Sequence, residues 1–528
     1  MKQTARIQTA SFNITREKGR SVTNVRLGRM FLMVCASLAL AIVLAAAQTD
    51  RAQLSPSLLQ TRTSVNQITS RLERDLPPLM KAADVPGLSI ALVRNGNVAW
   101  VHAFGVKDSK SKDPVTNETV FEAASLSKPV FALAVLKLVD AGRLDLDKPL
   151  NEYLPGDYDV GPDPRLSQVT ARRVLSHTTG FPNWRGGDAN LKIYFTPGEK
   201  FSYSGEGFVY LSKVVEHITG EKLNDFMKRM VFDSLGMKSS SYVWQERYDS
   251  LKTSRHNALG EPSPQIKATP NAAASLLTTA EDYARFIAAI MSGSGLKPET
   301  QKNMLTPQIR VDEGGSNTTA RPADKLSATI ALGLGVGLQT TSDGVSFWHW
   351  GDNGDAKAYF VAYPREKIGF VMFANGSNGL SFLPELVNEA IGGQQPAIAW
   401  IQYESYKSPR RMLLKNIQAK GAEAALIEYR AWRKGRTADE LLNEQQMNRF
   451  GYDLLYPLRR PKDAIEVFKL NVEDYPQSSN TYDSLGEAYM VDGNKEMAIK
   501  NYERSIELNP KNSGGIERLK KLRENQKQ

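Results

Sequence analysis

Ser125 and Lys128 stand three residues apart in the stretch Phe121-Glu122-Ala123-Ala124-Ser125-Leu126-Ser127-Lys128-Pro129. A serine hydroxyl is a weak nucleophile until a base takes its proton. A lysine can be that base when burial or a cationic neighbour holds it neutral. The apolar run that follows, 130–139, reads as a buried helix. At its N-terminal end, positions i and i+3 face the same way. Pro129 suits a first helical turn, where its missing N–H is not needed. The free helix N–H groups and the positive end of the dipole favour negative charge built beside Ser125. The chemistry implied is attack on a carbonyl through a covalent acyl-serine.

Ser-x-x-Lys is a loose pattern. Ser109/Lys112 and Ser294/Lys297 also fit it, but in polar or Gly-rich stretches that read as loops. There a solvated serine near a surface lysine is the plain account. What sets Ser125 apart is the buried helix behind it and the residues downstream.

The elements that must position these groups sit in a chain of 528 residues, long enough for two or three domains. Apolar content of 41% and charge of 23% are those of a globular protein. The net charge of +10 is unevenly spread: residues 1–47 hold seven Lys/Arg and one acid, which leaves only +4 elsewhere. No basic stripe with interleaved aromatics is present, so nucleic acid is not an expected partner. Residues 30–47 are an apolar run after a basic segment and end Ala45-Ala46-Ala47. That is the form of a secretory signal cleaved after Ala47, or of an uncleaved membrane anchor. Either way the remainder is exported, to a periplasmic or extracellular location. The one cysteine, Cys35, lies in this segment. The rest has no disulfide, cysteine nucleophile or thiolate metal site, and no metal or cofactor is expected.

Residues 48–62 read as a polar linker. A helix over 65–80 carries Ile68, Leu72 and Leu76 on one face, with Pro77-Pro78 ending it. Strands over 87–93 and 98–104 flank Asn95-Gly96, a hairpin signal. Thr170 caps a short helix that ends at His177. With no acid in a base-orienting pattern nearby, His177 is read as holding a loop through hydrogen bonds. A Gly-punctuated loop leads to a helix over 208–219. Helices over 222–235 and 276–291 follow, the last with Thr279 as cap. Residues 308–326 read as a polar excursion. Strands over 345–352, 358–364 and 368–375 and a helix over 383–391 close the region. Strands at both ends of a domain form one antiparallel sheet with helices on its faces. The fold class is therefore α+β: an antiparallel sheet flanked by helices, plus an all-helical subdomain.

Five segments in order resemble the serine β-lactamase/penicillin-binding-protein-like family, in the branch of class C β-lactamases, D-alanyl-D-alanine carboxypeptidases, D-aminopeptidases and related esterases. They are Phe121-x-x-Ala124-Ser125-x-Ser127-Lys128, Leu175-Ser176-His177-Thr178-Thr179-Gly180, Pro197-Gly198-x5-Ser204-x2-Gly207-Phe208, Leu277-Thr278-Thr279-Ala280-Glu281-Asp282 and His349-Trp350-Gly351. The resemblance implies Ser125 as the acylated nucleophile, with Lys128 and Tyr203 sharing the general-base role. His349 would stand for the lysine of the family's Lys-x-Gly element. Lys367-Ile368-Gly369 also fits that element, but it begins a strand after a turn. The backbone N–H groups of Ser125 and Asp352 would form the oxyanion hole, and Gly351 would let the backbone approach the substrate. The substrate would be a small molecule or a peptide.

One element departs from the family. Its Tyr-x-Asn is here Tyr203-Ser204-Gly205, and no Tyr-x-Asn occurs anywhere in the chain. The asparagine would support the lysine and bind the substrate's amide, so β-lactam hydrolysis is not assumed. Glu206 either replaces that contact in part or caps the following helix. Trp350 is large for its position and would line or narrow the acyl pocket.

After 395 the composition turns helical and charged. Ala464-Ile465-x2-Phe468 with Pro476 recurs 34 residues later as Ala498-Ile499-x2-Tyr502 with Pro510. The spacing resembles tetratricopeptide repeats, which would offer a peptide- or protein-binding groove or form a short helical cap on the hydrolase. The expected organisation is a signal or anchor at 1–47, a linker at 48–62, a hydrolase domain at 63–395 and a helical repeat domain at 396–528. The function expected is an exported serine hydrolase that cleaves an ester or amide. The alternatives are a class C-like β-lactamase, a D-alanyl-D-alanine carboxypeptidase, or a non-catalytic penicillin-binding sensor coupled to the repeats.

Overall fold

The computed structural model describes residues 58–524 apart from 155, 157, 188–189, 294 and 312–326. The signal or anchor at 1–47, most of the linker, Ser294 and most of the polar excursion lie outside the described residues. Among those described, no helix is long and apolar enough to cross a membrane.

An eight-stranded sheet organises the chain from 65 to 391. Helix α1 (Val65–Ala82) is followed by β1 (Gly87–Arg94) and β2 (Asn97–Gly105). Helices α2 (Ser127–Asp140), α3 (Gly205–Thr219) and α4 (Ala280–Ser292) fill the middle. Strands β3 (Ile309–Arg310), β4 (Ile330–Leu332), β5 (Gly337–Thr341), β6 (Gly344–Asp352), β7 (Lys357–Tyr363) and β8 (Ile368–Ala374) come next, then α5 (Leu383–Ala390). The order across the sheet is β2-β1-β8-β7-β6-β5-β4-β3, and every pairing is antiparallel. Asn95 and Gly96 both have positive φ, 53° and 72°, as the two-residue hairpin between β1 and β2 requires.

Strand alternation divides the core in two. Leu88, Ile90 and Leu92 join Trp348, Val361 and Met372 in a layer covered by α1 and α5. Ala91 and Val93 join Phe347, Phe360 and Phe373 in a layer covered by α2 and α4. Helix α2 is buried from Ser127 to Leu136, so it runs through the interior rather than along a surface.

Several boundaries differ from the sequence reading. Pro77 and Pro78 lie inside α1, not at its end. Both are exposed, and Met80 beyond them continues the buried face of Ile68, Leu72 and Leu76. Proline has no N–H to offer the Glu73 and Arg74 carbonyls one turn back, and both of those residues are exposed. Helix α3 starts at Gly205, three residues early, because Ser204 caps it by accepting the Gly207 N–H at 3.0 Å. Leu277-Thr278 is a short strand against Phe121-Glu122 rather than the start of α4. Ile309–Arg310, read as loop, is the edge strand β3.

After α5 comes α6 (Pro396–Ile401), whose Ala397, Trp400 and Ile401 enter the sheet's core. Seven further helices follow: α7 (Pro409–Lys420), α8 (Ala422–Trp432), α9 (Glu444–Leu455), α10 (Pro461–Asp474), α11 (Ser479–Val491), α12 (Lys495–Leu508) and α13 (Ser513–Glu524). Their apolar faces share one core, which also takes Leu259 from the sheet-bearing part of the chain. Gly451 on α9 meets the Phe468 ring on α10, and Gly486 on α11 meets the Tyr502 ring on α12. A Cβ at 451 would lie 2.4 Å from that ring. Gly451→Val is therefore expected to force α9 and α10 apart, at a cost of about 1–3 kcal/mol. A thermal melt of the full chain should show an earlier helical transition, with the melting of the sheet-bearing part unchanged.

Candidate active site

Ser125 lies in a 3-10 turn, Ala124–Leu126, that leads directly into α2. It thus precedes the α-helix rather than sitting on its first turn. Side chains from distant parts of the chain hold this turn. Tyr283 Oη donates to the Leu126 carbonyl at 3.0 Å, and Tyr242 Oη to the Ser127 carbonyl at 2.6 Å. Ser127 Oγ donates to the Ala124 carbonyl at 2.5 Å and accepts the Leu276 N–H at 3.0 Å. Ala124 has a φ of 48°, a left-handed value that costs a non-glycine residue about 1–2 kcal/mol. The surrounding bonds must supply that.

Lys128 is completely buried. Its Nζ donates to Ser125 Oγ at 3.1 Å and to the Ala273 carbonyl at 2.9 Å. With no acid paired to it among the described residues, burial pushes its ammonium down to about 7. A neutral amine in contact with a serine hydroxyl can act as a general base. Nζ also lies 4.7 Å from the centroid of the Tyr203 ring. The Tyr203 hydroxyl is buried, and burial raises its pKa, an effect that nearby Ser125 opposes. It has no hydrogen-bond partner among the described residues, so Ser125 is near without being bonded to it.

Two histidines flank the tyrosine. His177 stacks on the Tyr203 ring at 4.3 Å, and its Nδ1 accepts the Ser204 N–H at 3.0 Å. Burial, then the Lys128 charge, hold it well below its ordinary value, so it stays neutral. It thus holds the loop that carries Tyr203. His349 is buried on β6, with Nδ1 2.7 Å from the Trp350 carbonyl and a buried, unpartnered Nε2. Burial and the Lys128 charge push it down to about 3. At neutral pH it contributes a polar edge and no charge.

Pairing with β5 stops at Trp348, opposite Gly337, so among the described residues the β6 backbone from His349 to Asp352 has no strand partner on that side. Gly351 is where β6 meets the turn that carries Ser125. A Cβ there would lie 2.5 Å from the Ala123 carbonyl oxygen and 3.2 Å from Ala124 Cβ. The sequence reading assigned this glycine to close approach of the substrate; the close approach seen is to the segment bearing Ser125.

The Beta-lactamase family profile matches residues 72–387. The chain belongs to the beta-lactamase family. Protein flp of Staphylococcus aureus (strain COL) is 24% identical over 353 residues, covering 62% of this chain and 66% of its own length. The chain thus spans just under two thirds of that relative. Penicillin-binding protein 4 of Amycolatopsis lactamdurans is 28% identical over 332 residues, 58% of this chain and 85% of that protein. Two solved structures share the fold. The octameric penicillin-binding protein homologue from Pyrococcus abyssi has a TM-score of 0.51 at 22% identity, over 67% of this chain and 82% of that one. The D-alanine carboxypeptidase AmpC from Burkholderia cenocepacia has a TM-score of 0.52 at 20% identity, over 62% and 98%.

Within this family site the position of the missing asparagine is occupied from another loop. A Cβ on Gly205 would lie 2.8 Å from both the Asn183 carbonyl oxygen and the Trp184 ring. Asn183 Oδ1 accepts the Gly205 N–H at 3.0 Å. Trp184 is half exposed. Glu206 neither caps α3 nor stands free. It accepts the Arg185 backbone N–H at 3.2 Å and pairs with the Arg185 guanidinium at 3.0 Å. Trp350 is 7% exposed and packs on Tyr203 at 4.9 Å.

A buried network missed by the sequence reading fixes the far side. Glu122 pairs with Lys252 at 3.0 Å and accepts Asn353 Nδ2 at 3.2 Å, while Arg255 donates to the Asn353 carbonyl. It ties the segment that leads into Ser125 to the turn after β6. No spacing signals it, because its members lie up to 231 residues apart. The larger cavities described, about 450 and 390 Å³, lie among the C-terminal helices. The reactive groups, not cavity size, mark this site.

Proposed function

We propose that this chain is an exported serine hydrolase that cleaves esters through an acyl-enzyme on Ser125. The observation that carries the reading is the buried Lys128, unpaired with any acid among the described residues and in hydrogen-bond contact with Ser125 Oγ. In the proposed cycle Ser125 Oγ attacks the carbonyl carbon as Lys128 Nζ takes its proton. The N–H groups of Ser125 and Asp352 stabilise the oxyanion. The proton passes to the leaving alcohol with help from the Tyr203 hydroxyl, and the carbon–oxygen bond breaks. Water then attacks the acyl carbonyl by the same path, releasing the acid and restoring Ser125. Tyr203 acts as a proton relay rather than as a phenolate, since burial raises its pKa.

Two features favour an ester over a carboxylate-terminated peptide or a β-lactam. The amide-binding asparagine is absent, and Trp184 and Asn183 fill its space. The cations around the end of β6 are engaged: Lys357 by Asp352, Lys252 by Glu122 and Arg255 by the Asn353 carbonyl. The names of the relatives, which include a penicillin-binding protein and a D-alanine carboxypeptidase, support penicillin recognition as the second reading. The apolar segment 30–47 supports export, and the Gly–aromatic helix pairs support a repeat-type partner surface.

Intact-mass analysis with a fluorophosphonate, on wild type and Ser125→Ala, tests the reading. A single adduct lost in Ser125→Ala is expected; wild type without an adduct would overturn it. Faster turnover of nitrocefin than of p-nitrophenyl acetate would favour the second reading. Tyr203→Phe is expected to lower kcat by about 10²-fold and to leave the acidic break of the pH profile in place. Steady-state kinetics from pH 5 to 10 measure both.

A further inference from the structure

The family match stops at residue 387, yet residues beyond it reach the site. Helix α6 lays Trp400 against Trp350 at 5.8 Å and 81°, against Trp348 at 5.9 Å and 71°, and against Phe201 at 6.0 Å. Gln402, in a left-handed conformation with φ 54°, then turns the chain back toward the sheet. Tyr403 Oη donates to Asp352 Oδ2 at 2.6 Å. Asp352 Oδ1 accepts the Gly354 N–H at 2.8 Å and is paired with Lys357, which is itself buried. Burial and the Asp352 charge raise the Tyr403 pKa, so its hydroxyl remains a donor. The next residue anchors the segment outward: Glu404 accepts from Ser408 Oγ at 2.6 Å and from Arg410 Nε at 2.8 Å.

We propose that Trp400 and Tyr403 complete this hydrolase's active site, with Tyr403 a positioning residue acting through Asp352 and Trp400 the wall behind Trp350. The inference rests on the acyl-serine reading above. A carboxylate on the residue whose N–H faces the oxyanion opposes the charge that develops there. Lys357 and Tyr403 bind the Asp352 carboxylate and balance it. Tyr403 thereby fixes the end of β6, and Trp400 keeps Trp350 against Tyr203.

The test uses the full chain and the acylation rate with p-nitrophenyl acetate. Tyr403→Phe is expected to lower kcat about tenfold, with KM within about twofold and little change in Tm. Asp352→Asn in the Tyr403→Phe background is expected to recover most of the loss, because the charge to be balanced is gone. Trp400→Phe, which keeps an aromatic core residue, is expected to slow acylation without unfolding. Acylation at the wild-type rate in Tyr403→Phe overturns the inference, as does a double variant no faster than Tyr403→Phe. Absence of any Ser125 adduct on wild type would instead overturn the acyl-serine reading itself.

Discussion

Lys128→Met is expected to slow acylation by about 10³-fold and, at neutral pH, to make the protein more stable. The loss follows from geometry: Nζ, the base of the proposed cycle, lies 3.1 Å from Ser125 Oγ, and a thioether takes no proton. The gain follows from linkage. Burial lowers the lysine from 10.5 to about 7 in the folded state. Between those values the unfolded chain holds a proton that the folded one has lost. Folding is therefore opposed most at and below pH 7, and the opposition fades as pH rises toward 10.5. A shift of that size amounts to at most about 5 kcal/mol. Against it, methionine leaves the Ala273 carbonyl without its donor, at about 1–3 kcal/mol. A net gain of about 2 kcal/mol at pH 7 is expected, shrinking toward pH 10. Melting curves of both proteins at pH 7 and 10 measure it. Equal Tm values at both pH values would mean that Lys128 is charged when folded.

The same lysine sets the activity profile of the wild type. In the proposed cycle its neutral form is the working base, so kcat/KM should fall tenfold per unit below about pH 7 and level off above it. Tyr203 lies above its ordinary value of 10.0, so it adds no break below pH 10. His349, pushed down to about 3, is silent across this range. A break that followed His349→Gln rather than Lys128 would contradict the assignment.

Where the geometry is local, the sequence was legible. Ser125 and Lys128 are one turn apart, and Asn95-Gly96 makes its hairpin from its own dihedrals. Thr170 and Thr279 cap helices by bonding three residues ahead, to Arg173 and Asp282. Where the geometry is made by distant partners, the sequence was silent. Nothing around Gly205 points to Trp184, which occupies its side-chain space from another loop. Nothing in Asp352 points to Tyr403, 51 residues on. Ala273 reaches Lys128 through a carbonyl that any residue would offer. Pro77-Pro78 reads as a stop signal by propensity, and the buried face continued by Met80 overrides it. Local rules placed the reactive pair; long-range packing decides what surrounds it, and so what substrate fits.

Gly351→Ala is expected to cost about 10²-fold in kcat/KM, more than the size of one methyl group suggests. The new Cβ would stand 2.5 Å from the Ala123 carbonyl oxygen, 3.1 Å from Ala358 Cβ and 3.2 Å from Ala124 Cβ. Ala358 belongs to the fully buried β7 and cannot give way. The segment that must move is therefore 123–124, which carries Ser125. That segment is already committed: Ala123 N–H bonds the Leu276 carbonyl at 2.9 Å, and Ala124 holds its φ of 48°. Displacing it parts Ser125 Oγ from Lys128 Nζ, whose other bond to Ala273 holds the amine where it is. A displacement of about 1 Å between reacting groups costs a hundredfold in rate, whereas overpacking itself costs about 1–3 kcal/mol in stability. Activity should therefore fall under conditions where the variant is still folded. Acylation by p-nitrophenyl acetate at 25 °C, beside a circular dichroism melt, separates the two. A folded Gly351→Ala that acylates at the wild-type rate would show that the turn can shift without the lysine losing its serine.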